Sequence, residues 1–570
     1  MSSTIYYNVF FMLGGIAIMM FGMKFMGSNL EQLAGNKMKK MLGKMTTNRF
    51  AGVGVGAVVT AIINSSTATT VMLVGFVNVG LLTLAQATSV IMGANIGTTI
   101  TAQILSLSGN GQGLDMNAIA AILAAAGMVL TMVVKSDKLK KLGYILVGVG
   151  MIFIGLKIMS KSVDSIIYTN VDGKKVLLPI FESIFQNENI FPLILIVIGI
   201  VFTALIQSSA AITGILIALG SAINFRTAVF IILGSNIGTC ITSIISSIGT
   251  STNAKRTAII HLLFNLFGCI ICIIPIWIWT DAIGGFMHLI SGDSMERIIA
   301  NFHTLFNLLT TIVLLPFTKI MVKMAEKIIP EHTEEPDSYK FAFIDNRLLE
   351  TPVIAADATK KELVRMSEIA KENVNFAVEM LLDDEKDNTE TIRENEKIIN
   401  HLNKSITAYL TKLVSKDLSD EDDKKVGSYF HVVSDIERIG DYAENVMEYA
   451  HRLRKEEFSF SADAKKELKE LVETFNNLYV SAISTFQSRN VEKLKEVDAL
   501  EQKMDDISAE LENKHISRVK EGACTAQLGS VYLQTVSNLE RVGDHITNVA
   551  FSIRHYRHTQ AVHGNQQKTA

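Results

Sequence analysis

The chain has 570 residues, of which 49% are hydrophobic and only 19% charged, a balance too apolar for an average soluble domain. Its formal net charge of −3 hides a partition: residues 1–330 carry 21 basic and 11 acidic side chains, about +10, and the remainder is about −13. Four cysteines are too few for a disulfide framework, and nothing in the charge distribution points to nucleic acid.

The chain opens Met-Ser-Ser-Thr-Ile-Tyr-Tyr, without the basic start or small-residue cleavage site of a secretory signal, so its first apolar helix is expected to be retained. Apolar runs long enough to cross hydrocarbon are expected at 6–26, 86–107, 118–134, 139–159, 227–247, 257–279 and 298–319. Two further apolar stretches, 50–82 and 191–223, are broken in the middle by Asn64-Ser65-Ser66-Thr67 and by Gln207-Ser208-Ser209. Each half is too short to span by itself, which predicts a re-entrant helical hairpin in both places. Cys269 and Cys272 form a CxxC inside an apolar span and read as lipid-buried helix, because a lone CxxC lacks the second pair a zinc site requires.

The positive-inside rule orients the spans. Lys37, Lys39, Lys40, Lys44 and Arg49 fall on one side together with Lys135, Lys138, Lys140, Lys141, Lys255, Arg256, Lys319, Lys323 and Lys327. The opposite side receives chiefly Lys161, Lys174, Lys175, Arg226 and Arg297. The C-terminal part is thereby cytoplasmic, and the two hairpins enter from opposite faces. The halves, about 1–138 and 139–330, are inverted copies. In sequence, Asn64 is followed by Asn95 in Gly93-Ala-Asn-Ile-Gly-Thr98-Thr99, and Gln207 by Asn236 in Gly234-Ser-Asn-Ile-Gly-Thr239. Inverted repeats with broken helices are the layout of secondary transporters with a midplane site.

An anion inside a bilayer needs its hydration replaced by many donors, and Ser and Thr hydroxyls beside exposed helix N-termini supply them. The two Ser-Ser tips meet that need. A sodium ion wants hard oxygen ligands, which Asn64, Asn95, Thr98, Thr99, Gln207, Asn236 and Thr239 offer. Few acidic residues lie deep in the apolar spans, so neutral polar groups rather than a carboxylate relay carry the site. The competing reading is that Ser, Thr and Gly simply permit close helix contacts; two matched pairs at nearly equal spacing argue against it. His261 and His303, in His261-Leu-Leu-Phe-Asn265 and His303-Thr-Leu-Phe-Asn307, fit either helix packing or a place near the site.

Ala204-Leu-Ile-Gln207-Ser-Ser, Gly93-Ala-Asn-Ile-Gly-Thr98 and Gly234-Ser-Asn-Ile-Gly-Thr239 resemble the paired signatures of the type II sodium/phosphate cotransporters, over roughly residues 1–330. The resemblance implies sodium-coupled phosphate symport by alternating access, with phosphate held by Gln207, Ser208 and Ser209 and by their counterparts Ser65, Ser66 and Thr67. The sequence departs from that family's Gln-Ser-Ser-Ser at Asn64 and at Ala210, and its first half has no His-x-x-Phe-Asn copy.

Past Pro352 there is no proline, and apolar residues recur every three or four positions, as in Leu363, Met366, Ile369, Val374, Ala377 and Leu381. A segment repeats about 103 residues apart: Asp435-Ile-Glu437-Arg-Ile-Gly-Asp441 and Asn538-Leu-Glu540-Arg-Val-Gly-Asp544. Each places two carboxylates on one helix face, as do Glu501 and Asp505 on another helix, a donor set for a divalent or transition metal. A solvated acidic face is the competing reading. The repeat resembles the acidic motif of PhoU proteins, over roughly residues 345–557, which implies metal binding and attendance on phosphate uptake. The corresponding helix of the first unit reads Glu396-Lys-Ile-Ile-Asn400.

The expected architecture is all-α: a polytopic membrane protein of inverted repeats with two re-entrant hairpins (1–330), a linker (331–352), a cytoplasmic pair of three-helix bundles of PhoU type (353–557) and a disordered tail (558–570). The expected setting is a bacterial inner membrane, with phosphate, sodium and lipid as partners and a homodimer left open. No nucleophile–base arrangement, Walker loop or nucleotide fingerprint appears, so the chain does not read as an enzyme. A phosphate-sensing scaffold, or a carrier or exporter of another oxyanion, remain alternatives.

Overall fold

The computed structural model describes residues 2–44, 48–107, 116–171, 174–187, 190–331, 338–416 and 418–554; the tail at 558–570 lies outside them. The chain divides into two compact units, Met1–Thr333 and Glu334–Ala570.

The first unit is built from α1 (Ser2–Lys44), a hairpin of α2 (Arg49–Ile63) and α3 (Ser66–Asn78), α4 (Leu84–Ser106) and α5 (Met116–Val133). It continues with α6 (Asp137–Ile167), a short antiparallel hairpin of β1 (Tyr168–Val171) and β2 (Lys174–Leu177), and α7 (Pro179–Phe185). A second helical hairpin of α8 (Pro192–Ile206) and α9 (Ser209–Leu219) follows, then α10 (Phe225–Ser246), α11 (Thr252–Ile278), α12 (Thr280–Ser291), α13 (Met295–Leu314) and α14 (Thr318–Ile328). The β-hairpin is absent from the all-α expectation, because its strands of four residues each are too short to register a period-two pattern.

Of the seven predicted crossings, five form, among the described residues, helices long and apolar enough to traverse a bilayer: Tyr6–Ala34, Asp137–Ile167, Phe225–Ser246, Thr252–Ile278 and the run Met295–Ile328. The helix α4 is long enough at 23 residues, but buried polar groups such as Thr88, Asn95 and Thr101 lower its hydropathy. Protein rather than lipid surrounds most of it. The outer faces are apolar: Met132, Leu205 and Leu289 are each more than three-quarters exposed, a surface suited to lipid.

The first helices of the two repeats cross through glycines. A Cβ on Gly15 of α1 would lie 2.8 Å from the Gly155 carbonyl oxygen of α6, and one on Gly155 would lie 2.6 Å from that of Gly15. Reciprocal contact of this kind is what an approximate two-fold relation between halves produces, and small residues make the close approach feasible. The helices that follow the hairpins start on side-chain caps at equivalent places, Thr83 with Gln86 in a capping box for α4 and Asn224 for α10.

The second unit is two three-helix bundles: α15 (Pro352–Leu382), α16 (Thr389–Val414) and α17 (Asp420–Lys455), then α18 (Ala462–Ser488), α19 (Leu494–Lys520) and α20 (Ala526–Phe551). The repeated segments lie on α17 and α20 and face each other, with His545 Nδ1 at 2.9 Å from Asp435 Oδ1 and the His545 ring stacked on Tyr442. The predicted linker is shorter than 331–352. From residue 338 the chain is already docked on this unit: the amides of Ala342 and Phe343 donate to Glu362 Oε2, Tyr409 donates its hydroxyl to the Asp345 carbonyl, and Leu348 is fully buried. Sequence pattern missed it because the segment has no helical period.

Candidate functional site: a broken helix in each repeat

The arms α2 and α8 are each 15 residues, about 22 Å of helix, which falls short of a bilayer core of about 30 Å. Both end on a left-handed residue. Asn64 has φ 57° and ψ 25°, and its amide donates to the Thr60 carbonyl. Gln207 has φ 58° and ψ 26°, and its amide donates to that of Thr203. The next residues are extended, Ser65 at φ −149°, ψ 107° and Ser208 at φ −148°, ψ 108°. Each serine then caps the returning helix, Ser65 Oγ accepting from the Ala68 amide at 3.1 Å and Ser208 Oγ from the Ala211 amide at 3.2 Å. Thus two segments of different sequence take one backbone path. Each presents the N-terminus of a helix, α3 or α9, at a break within the apolar run, where first-turn N–H groups and the helix dipole favour an anion.

Ser66 and Ser209, the first helical residues, are buried; Ser65, Thr67 and Ser208 are half-buried, and the Gln207 side chain is exposed. Asn64 Oδ1 accepts from the Thr101 hydroxyl of α4 at 2.8 Å, tying the first tip to its own repeat.

The candidate cation ligands behave differently from one another. Asn95 donates Nδ2 to the Ile91 carbonyl, Thr98 its hydroxyl to Ala94, Thr99 to Ile96 and Thr239 to Asn236. All are buried, and in each the side-chain oxygen keeps unspent lone pairs. Asn236 instead accepts from His303 Nε2 of α13 at 3.4 Å. The motif glycines serve packing. A Cβ on Gly93 would lie 1.9 Å from the Val53 carbonyl oxygen, and one on Gly234 would lie 2.0 Å from that of Ile196. They let α4 lie against α2 and α10 against α8, holding the Asn and Thr beside the hairpin.

The repeats interlock, α3 packing on α10 and α11, and α9 on α4. The Ser243 hydroxyl of α10 donates to Thr70 of α3 at 2.9 Å and lies 3.0 Å from His261 Nδ1 of α11. Both histidines are therefore bonded to polar residues of α10, an arrangement that accommodates helix packing as well as a place near the candidate site. Thr70, Thr101 and Ser243 belong to the polar contacts around the first tip, and sequence reasoning missed them. Ser243 stands seven residues after Asn236, on the same helix face, and that spacing was the available signal. Asn236 Nδ2, His261 Nε2, Asn265 Oδ1, His303 Nδ1, Asn307 Oδ1 and Thr310 Oγ1 are buried without a partner among the described residues. Such a concentration of unsatisfied groups marks this interior as one built for polar occupants.

In the second unit, no three carboxylate, imidazole or thiolate groups among the described residues stand close enough to hold a metal ion. What Glu501, Asp505, Glu540 and Asp544 show is crowding. Burial raises all four carboxyls, and their mutual repulsion adds to it for Glu501, Asp505 and Glu540, while His545 and Arg541 oppose it at Asp544. In the first bundle burial likewise raises Asp441, opposed by Arg438, with Glu437 one turn earlier on α17. The residue sequence reasoning underrated is Glu396. Its side chain is buried, Oε1 accepting from Asn400 Nδ2 at 2.9 Å and Oε2 left without a partner. Burial, then Asp441, Glu444 and Glu437, push it up to about 8.

Inverted repeats interlocked around paired broken helices, in an apolar-surfaced helical body, define a membrane carrier. The model of the family described as Na+/Pi-cotransporter matches residues 18–161 and 172–301, and that of the PhoU domain matches residues 363–450 and 468–553. The chain belongs to the Na+/Pi-cotransporter family, a phosphate-transporter family, and carries a PhoU domain C-terminal to its membrane unit. Along nearly its whole length it is similar to "Putative inorganic phosphate export protein YjbB" of Escherichia coli (strain K12), 24% identical over 95% of this chain and 96% of that one. It is 29% identical to "Uncharacterized protein YqeW" of Bacillus subtilis (strain 168), over 54% of this chain and 94% of that one. A shorter stretch, 15% of this chain and 14% of the other, is 38% identical to "Sodium-dependent phosphate transport protein 2A" of Rattus norvegicus. No solved structure matches the chain.

Proposed function

We propose that the protein is a sodium-coupled carrier of inorganic phosphate, in which Ser65, Ser66 and Thr67 of one repeat and Gln207, Ser208 and Ser209 of the other bind the anion. The observation that carries this reading is the shared backbone path of the two tips, which aims two helix N-termini from opposite repeats without any fixed charge. Sodium takes oxygens from Asn64, Asn95, Thr98, Thr99, Gln207, Asn236 and Thr239, and its charge offsets that of the anion. The proposed setting is a bacterial inner membrane, and the distribution of lysines and arginines favours a cytoplasmic PhoU domain.

The test is uptake of labelled phosphate into proteoliposomes with and without an inward sodium gradient. The double change Ser208→Ala and Ser209→Ala abolishes uptake; unchanged uptake removes the site assignment. Export is a second reading, favoured by the printed name of the Escherichia coli relative. A coupled carrier is reversible, so efflux from phosphate-loaded vesicles under an outward sodium gradient measures that direction on the same protein. The PhoU domain, on this proposal, regulates the carrier and takes up a divalent or transition metal at Glu501, Asp505, Glu540 and Asp544 and at Glu437 with Asp441, a step that has to draw these carboxylates together, since no three of them among the described residues are placed for a metal as they stand. Closely set carboxylates with raised affinity for protons are a donor set that a cation relieves.

A further inference from the structure

A chain of polar contacts ends at the first hairpin tip. Thr70, one turn after Ser66 on α3, donates its hydroxyl to the Ser66 carbonyl at 2.9 Å, with the Thr67 carbonyl at 3.0 Å. The Thr70 oxygen accepts from Ser243 of α10. Ser243 has one proton, and it is spent on Thr70, so His261 Nδ1 has to be the donor to Ser243 Oγ. Counting protons in this way fixes His261 as the Nδ1–H tautomer. All three residues are buried.

The same face of α3 is held along its length by α11. Val74, one turn after Thr70, packs on Ala254 and Ala258, and Asn78, a further turn on, accepts from the Ser251 amide at 2.8 Å. The second tip is held by other means. Thr213 stands six residues after Gln207 as Thr70 stands six after Asn64, and it donates to the Ser209 carbonyl of its own helix. Ala102 occupies on α4 the place that Ser243 occupies on α10, seven residues after the motif asparagine. Around Thr213 the helix α9 lies in the apolar core, Gly214 against the Met19 thioether. The repeats share a backbone, but among the described residues a hydrogen-bonded latch fastens the first tip to the opposite repeat and none so fastens the second.

We propose that His261 is a positioning residue for substrate binding: through Ser243 and Thr70 it fixes the first turn of α3, and with it the N–H groups of Ser66 and Thr67 that face the anion. The inference rests on the reading of the hairpin tips as the phosphate site. It predicts that the latch is read in affinity, because Thr70 stands one turn from Ser66 and Thr67, whose carbonyls it bonds and whose N–H groups face the anion.

The experiment uses the full chain in proteoliposomes and measures phosphate uptake against phosphate concentration, alongside amide exchange of 66–78 and 209–219. Ser243→Ala raises the half-saturating phosphate concentration about tenfold, the scale of one lost buried hydrogen bond, with the maximal rate within about twofold. It also speeds exchange at 66–78 and leaves 209–219 unchanged. Thr70→Val repeats both effects, Thr70→Ser restores the native values, and Thr213→Val, which breaks no inter-helix bond, alters neither. His261→Gln serves as a further variant if Ser243→Ala does not reach the membrane. Equal effects of Thr213→Val and Thr70→Val, or a fall in maximal rate with unchanged half-saturation, overturn the proposal. A wild-type chain that carries no phosphate overturns the functional reading instead, and exchange at 66–78 then decides the latch alone.

Discussion

Asn64 and Gln207 occupy the same backbone position in opposite repeats, within 1° of each other in both φ and ψ, although their side chains differ in length. The left-handed conformation costs a non-glycine residue about 1 kcal/mol or more, and asparagine tolerates it better than glutamine does. Gln207 therefore stands against its backbone preference, and the proposed role of its side chain in binding would account for that. Replacing it separates the two demands. Gln207→Gly keeps or raises the melting temperature of the membrane unit while it lowers phosphate uptake, whereas the β-branched Gln207→Val lowers both. Thermal melting in detergent and uptake in vesicles read the two effects. A Gln207→Gly variant that transports normally would show that the side chain serves only the turn.

The glycines of Gly93-Ala-Asn-Ile-Gly and Gly234-Ser-Asn-Ile-Gly make a second, independent prediction. A methyl group at Gly234 meets the Ile196 carbonyl at 2.0 Å, with backbone rather than a flexible side chain as the obstacle. Gly234→Ala should then force α10 away from α8 and cost several-fold in folded yield, overpacking being worth about 1–3 kcal/mol. Gly54 of α2 meets nothing within 4 Å, so Gly54→Ala stays within about 1 kcal/mol of wild type and gains slightly from helix propensity. Monodisperse yield from detergent size exclusion compares them. Equal yields would mean that the motif glycines are not packing residues.

How much of this was readable in advance depends on the range over which each signal acts. The helix breaks at Asn64 and Gln207, the serine caps and the doubling of the Asn-Ile-Gly-Thr motif are local, and the sequence displays them directly. The side of α4 and α10 that faces the hairpin also follows from spacing. By contrast, Thr70, Ser243 and His261 are joined across residue separations of 173 and 18, and neither helix shows by itself that its polar face meets the other. The segment from residue 338 to 350 escaped because its order comes from Glu362 accepting two of its amides, a contact that no periodicity announces. Glu396 reads in the sequence as the first-unit counterpart of Glu501, with Asn400 in the place of Asp505, but only the structure places it under Gly440 of α17, whose missing side chain leaves room for the carboxylate.

The crowded carboxylates of α19 and α20 predict how metal and protons compete. Burial with mutual repulsion raises Glu501, Asp505 and Glu540, so each holds its proton to a higher pH than an ordinary carboxyl, and a bound cation must displace those protons. Added Mn2+ should slow amide exchange across 494–520 and 526–551 of the full chain at about pH 7.5 and do so less at about pH 5.5. Glu540→Gln with Asp544→Asn removes the effect. Equal protection in that double variant would place the metal elsewhere or leave the acidic face merely solvated.

Glu396 sets the pH dependence of the first bundle, and its sign follows from the direction of the shift. Its folded-state value is about 8, against 4.5 for an ordinary glutamate. Between those limits the folded form binds a proton that the unfolded form releases. The stabilising contribution is therefore fully present below about 4.5, declines as pH rises toward 8, and is flat above that. The slope for one proton is about 1.4 kcal/mol per pH unit. Glu396→Gln keeps the shape and the neutral state at every pH, so the slope disappears and the variant exceeds wild type in stability at about pH 8. Protection factors for 389–414 and 420–455, corrected for the intrinsic pH dependence of exchange, measure this on the full-length protein. A wild-type protein whose protection stays constant from about pH 5 to about pH 8, or a Glu396→Gln variant with the same decline, would assign the pH response to other groups. Asp441 and Glu444, which raise Glu396, are the first to examine in that event.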